Sequence, residues 1–237
     1  MDPALIAALL EPFLDRPLSP AQLGQISTYI DLLLRWNARI NLTAIRDPEE
    51  IVTRHFGESF FLARHLFPVE RRAPSPVPAL TPGDGSLPTD HRPLSPARVI
   101  DLGSGAGFPA LPLKIWAPHI HLTLIESNHK KAAFLREAAR ALTLTNIDVF
   151  ADRAETLSAR LGPEFPKADI VTFRAVEKFD RTLPLAATFL SPTARLALLI
   201  SSAQLPQLKA ALPNLTWRIT PIPQSNRRIL SIGEESR

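Results

Sequence analysis

The sequence predicts an α/β fold: a mostly parallel sheet flanked by helices, ending in an antiparallel pair of strands and preceded by a helical extension. Three observations predict it. From residue 97 onward, short β-branched and apolar runs alternate with segments of helical period, the pattern of a sheet covered on both faces. The first of these runs leads straight into alternating glycines and then a helix. Residues 1–67 instead carry repeated helix-start signals and no strand pattern. The chain thus divides into a helical part (1–67), a proline-rich loop (68–97) and a sheet domain (98–237).

In the helical part, Ser19-Pro20-Ala21-Gln22 reads as a capping box with proline at the first helical position. Leu23, Ile26, Ile30, Leu33 and Leu34 follow as one apolar stripe, which stops at Trp36-Asn37. Asp47-Pro48-Glu49-Glu50 repeats the capping logic and opens a helix with Ile51, Val52, His55, Phe56, Ser59 and Phe60 among its facing positions. Arg35, Arg39, Arg46, Arg54 and Arg64 make this part arginine-rich, which by spacing alone is a solvated face. The chain has 24 prolines, and eight fall from Pro68 to Pro96. Proline fixes φ and removes a donor, so this stretch is expected to be an extended surface loop, either a lid or a tolerated insertion.

The sheet domain begins with Arg98–Leu102, a short strand. A helix through Leu113 and Trp116 follows, then a strand from His121 to Glu126 and a helix from Asn128 to Leu142. Asn146 to Asp152 is the third strand, with a short helix near Leu157 after it. Ala168 to Val176 and Arg195 to Ser201 are the fourth and fifth. Leu215–Ile222 and Arg227–Ile232 are joined only by Pro223-Gln224-Ser225-Asn226, too short for a crossover, so they are expected to pair antiparallel.

Composition narrows the function classes. The 237 residues are 45% hydrophobic and 21% charged, an ordinary globular balance. Cysteine is absent, which excludes disulfides, thiolate metal sites and a cysteine nucleophile. The first residues carry Asp2, Glu11 and Pro12 where a secretory signal would be basic and then apolar, and no apolar run approaches the ~18 residues of a membrane span. The expectation is a soluble cytoplasmic protein. A net charge of +4 is compatible with a nucleic-acid partner without requiring one.

The chemical centre is Asp101-Leu102-Gly103-Ser104-Gly105-Ala106-Gly107. Glycines after a strand let the backbone take positive φ and let a ligand approach closely, and ligands of open α/β sheets bind beyond the strand ends. Gly105, Gly107 and Ala110 satisfy a dinucleotide fingerprint. However, Pro109 and Pro112 remove donors from the helix start that a pyrophosphate needs. Asp101 adds an anion there, which favours a cationic ligand. Glu126, 19 residues beyond Gly107 at the end of the second strand, can accept both ribose hydroxyls, or serve as a helix-capping anion. A nucleoside with sulfonium and ammonium charges, S-adenosylmethionine, fits this pair better than a dinucleotide.

The run from Asp101 to Leu113, with its Gly107-Phe108-Pro109-Ala110-Leu111-Pro112-Leu113 tail, resembles the glycine motif of the bacterial 16S ribosomal RNA guanine-N7 methyltransferases, the RsmG or GidB family. Trp36-Asn37, Asn41-Leu42-Thr43, Arg54-His55, Leu124-Ile125-Glu126-Ser127, Lys130-Lys131, Phe134-Leu135, Arg153-Ala154-Glu155 and Arg174-Ala175 resemble further family features in order. The likeness covers about residues 20–67 and 97–232. Glu58-Ser59 stands where the family has Asp-Ser, Ala110 replaces a glycine, the fifth strand ends in Ile200-Ser201 instead of Lys-Gly, and the proline-rich stretch is longer than usual.

The resemblance implies a class I S-adenosylmethionine-dependent methyltransferase. Its cofactor would contact Gly103 and Phe108 in the turn, Ala154 and Glu155 in the loop after the third strand, and Arg174 at the fourth, beside the Glu126 already assigned to the ribose. Arg174 could bind the cofactor carboxylate, face the acceptor base or pair with a neighbouring acid. The implied partner is 16S ribosomal RNA or a small-subunit particle, with no membrane and no metal. Guanine N7 offers an in-plane lone pair and no proton to lose, so no catalytic acid–base residue is expected. His55 is then an RNA contact or a packed helix residue. Arg39, Arg46 and Arg54 are expected to contact phosphates, with Lys130, Lys131, Arg227 and Arg228 as the other candidates. The competing readings are a methyltransferase for a small molecule or protein, and a non-catalytic RNA-binding module.

Overall fold

A computed structural model describes residues 1–68, 96–162, 165–174 and 179–235. The expectation for the proline-rich loop therefore lies almost wholly outside the described residues, as does Ala175. The capping signals act where the sequence places them. Ser19 caps α2 (Pro20–Asn37) in a complete capping box with Gln22. Asp47 accepts from the Glu50 amide at 2.8 Å and caps α3 (Pro48–Glu50). The chain then runs through a π-helical stretch, Ile51–Gly57, into α4 (Glu58–Leu66). At Gly57 a Cβ would stand 2.7 Å from the Phe13 ring, so only glycine lets that ring seat. A further helix, α1 (Pro3–Leu10), precedes these, capped by Asp2.

Seven strands form one sheet in the order β3-β2-β1-β4-β5-β7-β6. The strands are β1 (Arg98–Leu102), β2 (His121–Ile125), β3 (Ile147–Phe150), β4 (Ala168–Arg174), β5 (Leu190–Ser201), β6 (Leu215–Pro221) and β7 (Arg228–Glu235). The first five are parallel and β7 lies antiparallel between β5 and β6. The expected hairpin of the last two strands is present. The helices of this part are α5 (Ala110–Trp116), α6 (His129–Ala141), α7 (Ala154–Leu161), α8 (Phe179–Thr188) and α9 (Leu205–Ala211).

Three differences from the sequence reading have physical causes. The helix α8 was not expected because Pro184 sits inside it, yet Phe179, Leu183 and Ala186 fall on one buried face. The short helix α9 follows a Ser201 cap that the sequence reading took as a strand end. Strand β5 starts five residues earlier than expected, at Leu190, across a register shift between Ala168 and Ile170.

The sheet carries a core on each face. One holds Ile100, Leu102, Leu157, Phe173, Leu183 and Leu208. The other mixes the N-terminal helices (Ile26, Tyr29, Ile30, Phe56, Phe60) with Val99, Leu111, Leu113 and Phe134 of the sheet domain. Polar ties cross the same seam. Gln22 donates to the Ile115 carbonyl at 2.8 Å and Gln25 to that of Leu142 at 2.8 Å. The Arg16 guanidinium lies 4.0 Å over the Trp116 ring. The helical extension is thus built into the sheet's core, and this places its residues beside the glycine turn.

Candidate functional site

In the order β3-β2-β1-β4 the chain reverses direction across the sheet at β1, and the crevice beyond the strand ends at such a point is where ligands bind. The glycine turn occupies that point. Gly103, Gly105 and Gly107 have φ of 66°, 55° and 83°, the left-handed region that favours glycine. The Gly103 and Ser104 amides donate to the Ile125 carbonyl at 2.8 and 3.1 Å, carrying the β1–β2 ladder one step past the strands. The Gly105 amide donates to Glu126 Oε2 at 2.8 Å, and the Asn128 amide to Glu126 Oε1 at 2.8 Å. Asn128 in turn caps α6 by accepting from Lys130 and Lys131. One buried carboxylate therefore clips the turn to the start of α6.

A cleft of about 340 Å³ opens beside this turn, lined by Leu102, Gly103, Ser127, Asp152, Ala154 and Glu155, with α8 on its far side. Ala154 and Glu155 are the first two residues of α7 rather than part of a loop. Their amides belong to the first turn, which has no intrahelical acceptors. The cap residue Arg153 makes no side-chain cap bond.

The structure separates the expected site residues into two groups. Gly103, Ala154 and Glu155 line the cleft, and Glu126 adjoins it through Gly105 and Ser127. Phe108 and Arg174 are joined through His55. The Phe108 ring is sandwiched between Tyr29 (centroids 5.2 Å apart, 5° between planes) and His55 (4.7 Å, 19°). The Tyr29 hydroxyl donates to the Ala106 carbonyl. Arg174 has an 8% exposed side chain; its Nη2 lies 2.9 Å from Glu58 Oε2 and donates to the Arg54 carbonyl at 2.9 Å, while Nη1 meets His55 Nδ1 at 3.1 Å. Of the three roles open to Arg174 from sequence, the contact seen is with an acid.

Electrostatics follow this packing. Asp101 is 1% exposed, and among the described residues neither carboxylate oxygen has a hydrogen-bond partner. Burial raises its pKa from 3.8 to about 7, Ser104 opposes the shift and the Glu126 charge adds to it. The anion expected at the strand end is therefore only partly ionised near neutral pH. Burial also lowers the pKa of His55 to about 3, helped by the positive charges of Arg174, Arg54 and Arg228, so His55 is a neutral, packed residue. It accepts or donates at 2.8 Å with the Thr43 hydroxyl.

Sequence reasoning missed Glu58 and Tyr29 as organisers of this region, and Ser127, Asp152 and α8 as cleft walls. The only signal for Glu58 was its departure from the Asp-Ser pattern. For α8 it was the spacing of Phe179, Leu183 and Ala186. Arg39 and Arg46 are exposed, as solvated residues or RNA contacts must be, and Arg54 sits beside the carboxyl end of β4.

The strand order, with one antiparallel strand between the last parallel strand and the edge, and the cleft at the reversal point define a class I, Rossmann-like methyltransferase fold. Solved structures share it. A chain of the fibrillarin/Nop5p complex superposes with a TM-score of 0.51 at 15% identity, covering 60% of this chain and 74% of that one. A predicted O-methyltransferase from Agrobacterium tumefaciens gives 0.50 at 21% identity with the same coverage.

The family model described as rRNA small subunit methyltransferase G matches residues 22–72 and 89–216. The chain belongs to that family. It is 40% identical over 173 residues to the ribosomal RNA small subunit methyltransferase G of Chloroflexus aggregans, covering 71% of this chain and 61% of the relative. It is 31% identical over 225 residues to the Bacillus subtilis protein of the same name, covering 91% and 83%.

Proposed function

We propose that this chain transfers a methyl group from S-adenosylmethionine to N7 of a guanine in 16S ribosomal RNA, within the cytoplasm, on free RNA or on a small-subunit particle. The observation that carries the reading is the cleft at the reversal point, lined by Gly103 of the turn and the first residues of α7 and adjoined by the Glu126 clip. The family's printed name supplies the ribosomal RNA of the small subunit as the substrate class.

The residues present fit this cofactor. Gly103 at φ 66° leaves its face of the cleft without a side chain. Each Glu126 oxygen accepts one backbone N–H and keeps a second lone-pair direction, enough for a pair of ribose hydroxyls. The open amides of Ala154 and Glu155 suit the acceptor nitrogens of an adenine. When bound, the cofactor supplies an electrophilic methyl group on a sulfonium.

The chain's own contribution to the chemistry is alignment and exclusion of water. Guanine N7 attacks with an in-plane lone pair and loses no proton. The residues nearest the turn agree: His55 is held neutral and stacked on Phe108, in no position to serve as a titrating base near neutral pH. The route to pyrimidine carbon-5 through a cysteine adduct is closed by composition.

The test is transfer of a radiolabelled methyl group from S-adenosylmethionine to small-subunit ribosomal RNA, to a mixture of free metabolites and to bulk protein. Label confined to the RNA, released as 7-methylguanine, is expected. Label in metabolites or protein alone would overturn the substrate assignment. A thermal shift with S-adenosylhomocysteine separates an enzyme from a module with a vestigial pocket.

A further inference from the structure

The strongest unexplained feature of the molecule is a charge cluster around Glu58. This side chain is 2% exposed, at the first residue of α4, directly after the π-helical stretch. Its Oε2 lies 2.9 Å from Arg174 Nη2 and 2.9 Å from Arg228 Nε; its Oε1 lies 3.5 Å from Arg54 Nε. The three arginines come from three distant segments. Arg174 ends β4, and Arg228 pairs in register with Ser201 at the end of β5, so both stand on the carboxyl rim of the sheet where the cleft opens. Arg54 joins them from the N-terminal helices. The cluster is continuous with the glycine turn, because Arg174 bonds His55 and His55 stacks on Phe108.

Among the described residues the charges do not balance. Three guanidiniums surround one buried carboxylate. Exposed Glu50 reaches only the outer edge of Arg54, at 3.2 Å, and His55 contributes no negative charge. Removing water from a charge is costly unless it is paired, so buried Arg174 draws on the Glu58 carboxylate, and the partly exposed Arg54 and Arg228 keep charge available to a further anion. Arg174 has no terminal nitrogen open to one: Nη1 and Nη2 are committed to Glu58, His55 and the Arg54 carbonyl. The outer two do, with side chains 44% exposed for Arg54 and 21% for Arg228. A planar guanidinium presents its donors in a fork that matches phosphate oxygens.

We propose that Glu58 is a positioning residue that gathers Arg54, Arg174 and Arg228 into one rim, and that Arg54 and Arg228 on this rim seat a phosphate of the RNA strand beside the methyl-transfer cleft. Arg174 is the strut between them and the aromatic stack. This rests on the proposed function for the identity of the anion, an RNA phosphodiester. A carboxylate of the cofactor is the competing anion, and the test distinguishes them.

The experiment uses the full chain and its Arg54→Gln/Arg228→Gln, Glu58→Gln and Glu58→Asp variants. Affinity for a small-subunit rRNA fragment is titrated by fluorescence anisotropy at several salt concentrations, affinity for S-adenosylhomocysteine by calorimetry, and methyl transfer by KM and kcat for the RNA. The double variant is expected to bind RNA more weakly, with the slope of log K against log salt flattened by roughly 0.7–0.9, the loss of one phosphate contact. Its S-adenosylhomocysteine affinity stays at the parent's value. Glu58→Gln raises KM for the RNA at retained kcat and flattens the same slope, and Glu58→Asp restores most of both, which a merely structural role does not produce.

A double variant with the parent's RNA affinity and salt slope overturns the seat, even if Glu58→Gln fails to fold. A double variant that loses S-adenosylhomocysteine affinity and keeps its RNA affinity assigns the rim to the cofactor carboxylate and overturns it as well. A parent that neither binds nor methylates the RNA overturns the proposed function, and the seat with it.

Discussion

Replacing Glu126 by glutamine tests the part of the site that the structure and the proposed chemistry both depend on. The native carboxylate accepts the Gly105 and Asn128 amides, each at 2.8 Å, from a side chain 7% exposed. Glutamine has the same shape but a single oxygen acceptor. One of the two amides must then face an NH₂ group, and the surviving bond loses its charge. Hydrogen bonds to a charged group contribute about 1.5–3 kcal/mol each, so Glu126→Gln is expected to destabilise the ligand-free protein by about that amount. For a chain of this size one kcal/mol moves Tm by about 2–4 °C, which gives an expected drop of roughly 3–12 °C in thermal denaturation without cofactor. Calorimetry with S-adenosylhomocysteine on the same variant should show weaker binding, because the remaining lone pairs are those offered to the ribose. A variant that melts with the parent would refute the idea that this carboxylate holds the turn. A variant that melts lower yet binds the ligand with the parent's affinity would leave Glu126 a clip and nothing more.

Other outcomes follow from the same geometry. Gly107→Ala places a Cβ 2.7 Å from Leu111 Cδ1 and against the Tyr29 hydroxyl at a φ of 83°, so strain and overpacking together should cost about 2–5 kcal/mol in denaturant titration. Tyr29→Phe leaves the Ala106 carbonyl without its buried donor and should cost about 1–3 kcal/mol, with the aromatic stack retained. Two pH slopes should oppose each other. The raised pKa of Asp101 makes its contribution to stability largest at low pH and removes it as pH climbs from 3.8 through about 7, whereas the lowered pKa of His55 removes stability as pH falls from 6.5 toward about 3. Denaturant titrations across that range should therefore show Asp101→Asn losing stability on acidification more steeply than the parent, and His55→Gln gaining it; parallel curves for all three proteins would refute the assignment.

The legible features were those set by short-range chemistry. The Ser19 and Asp47 caps, the bounds of β1, the glycine turn and the terminal hairpin each depend on a few neighbouring residues, and such residues speak for themselves in a sequence. Gly103, Ala154 and Glu155 line one cleft, because a strand end and a helix start mark the same rim of a parallel sheet, although the sequence reading put the last two in a loop. Helix α8 was hidden because an internal proline overrode an apolar spacing that tertiary burial then rewarded.

What only the tertiary structure decided is which helix meets which face of the sheet, and with that the fate of the charged residues. No periodicity announces that Glu58, Arg54, Arg174 and Arg228 share one site, since they lie in segments brought together only by the packing of the N-terminal helices on the sheet. The same packing stacks Phe108 between Tyr29 and His55. It also buries Asp101 deeply enough to push its pKa to about 7. Local sequence selects backbone conformation, because the competing states differ by bonds and rotamers within a few residues. The charge state and partner of a side chain depend on how much water the rest of the chain removes from it, and only the assembled fold sets that.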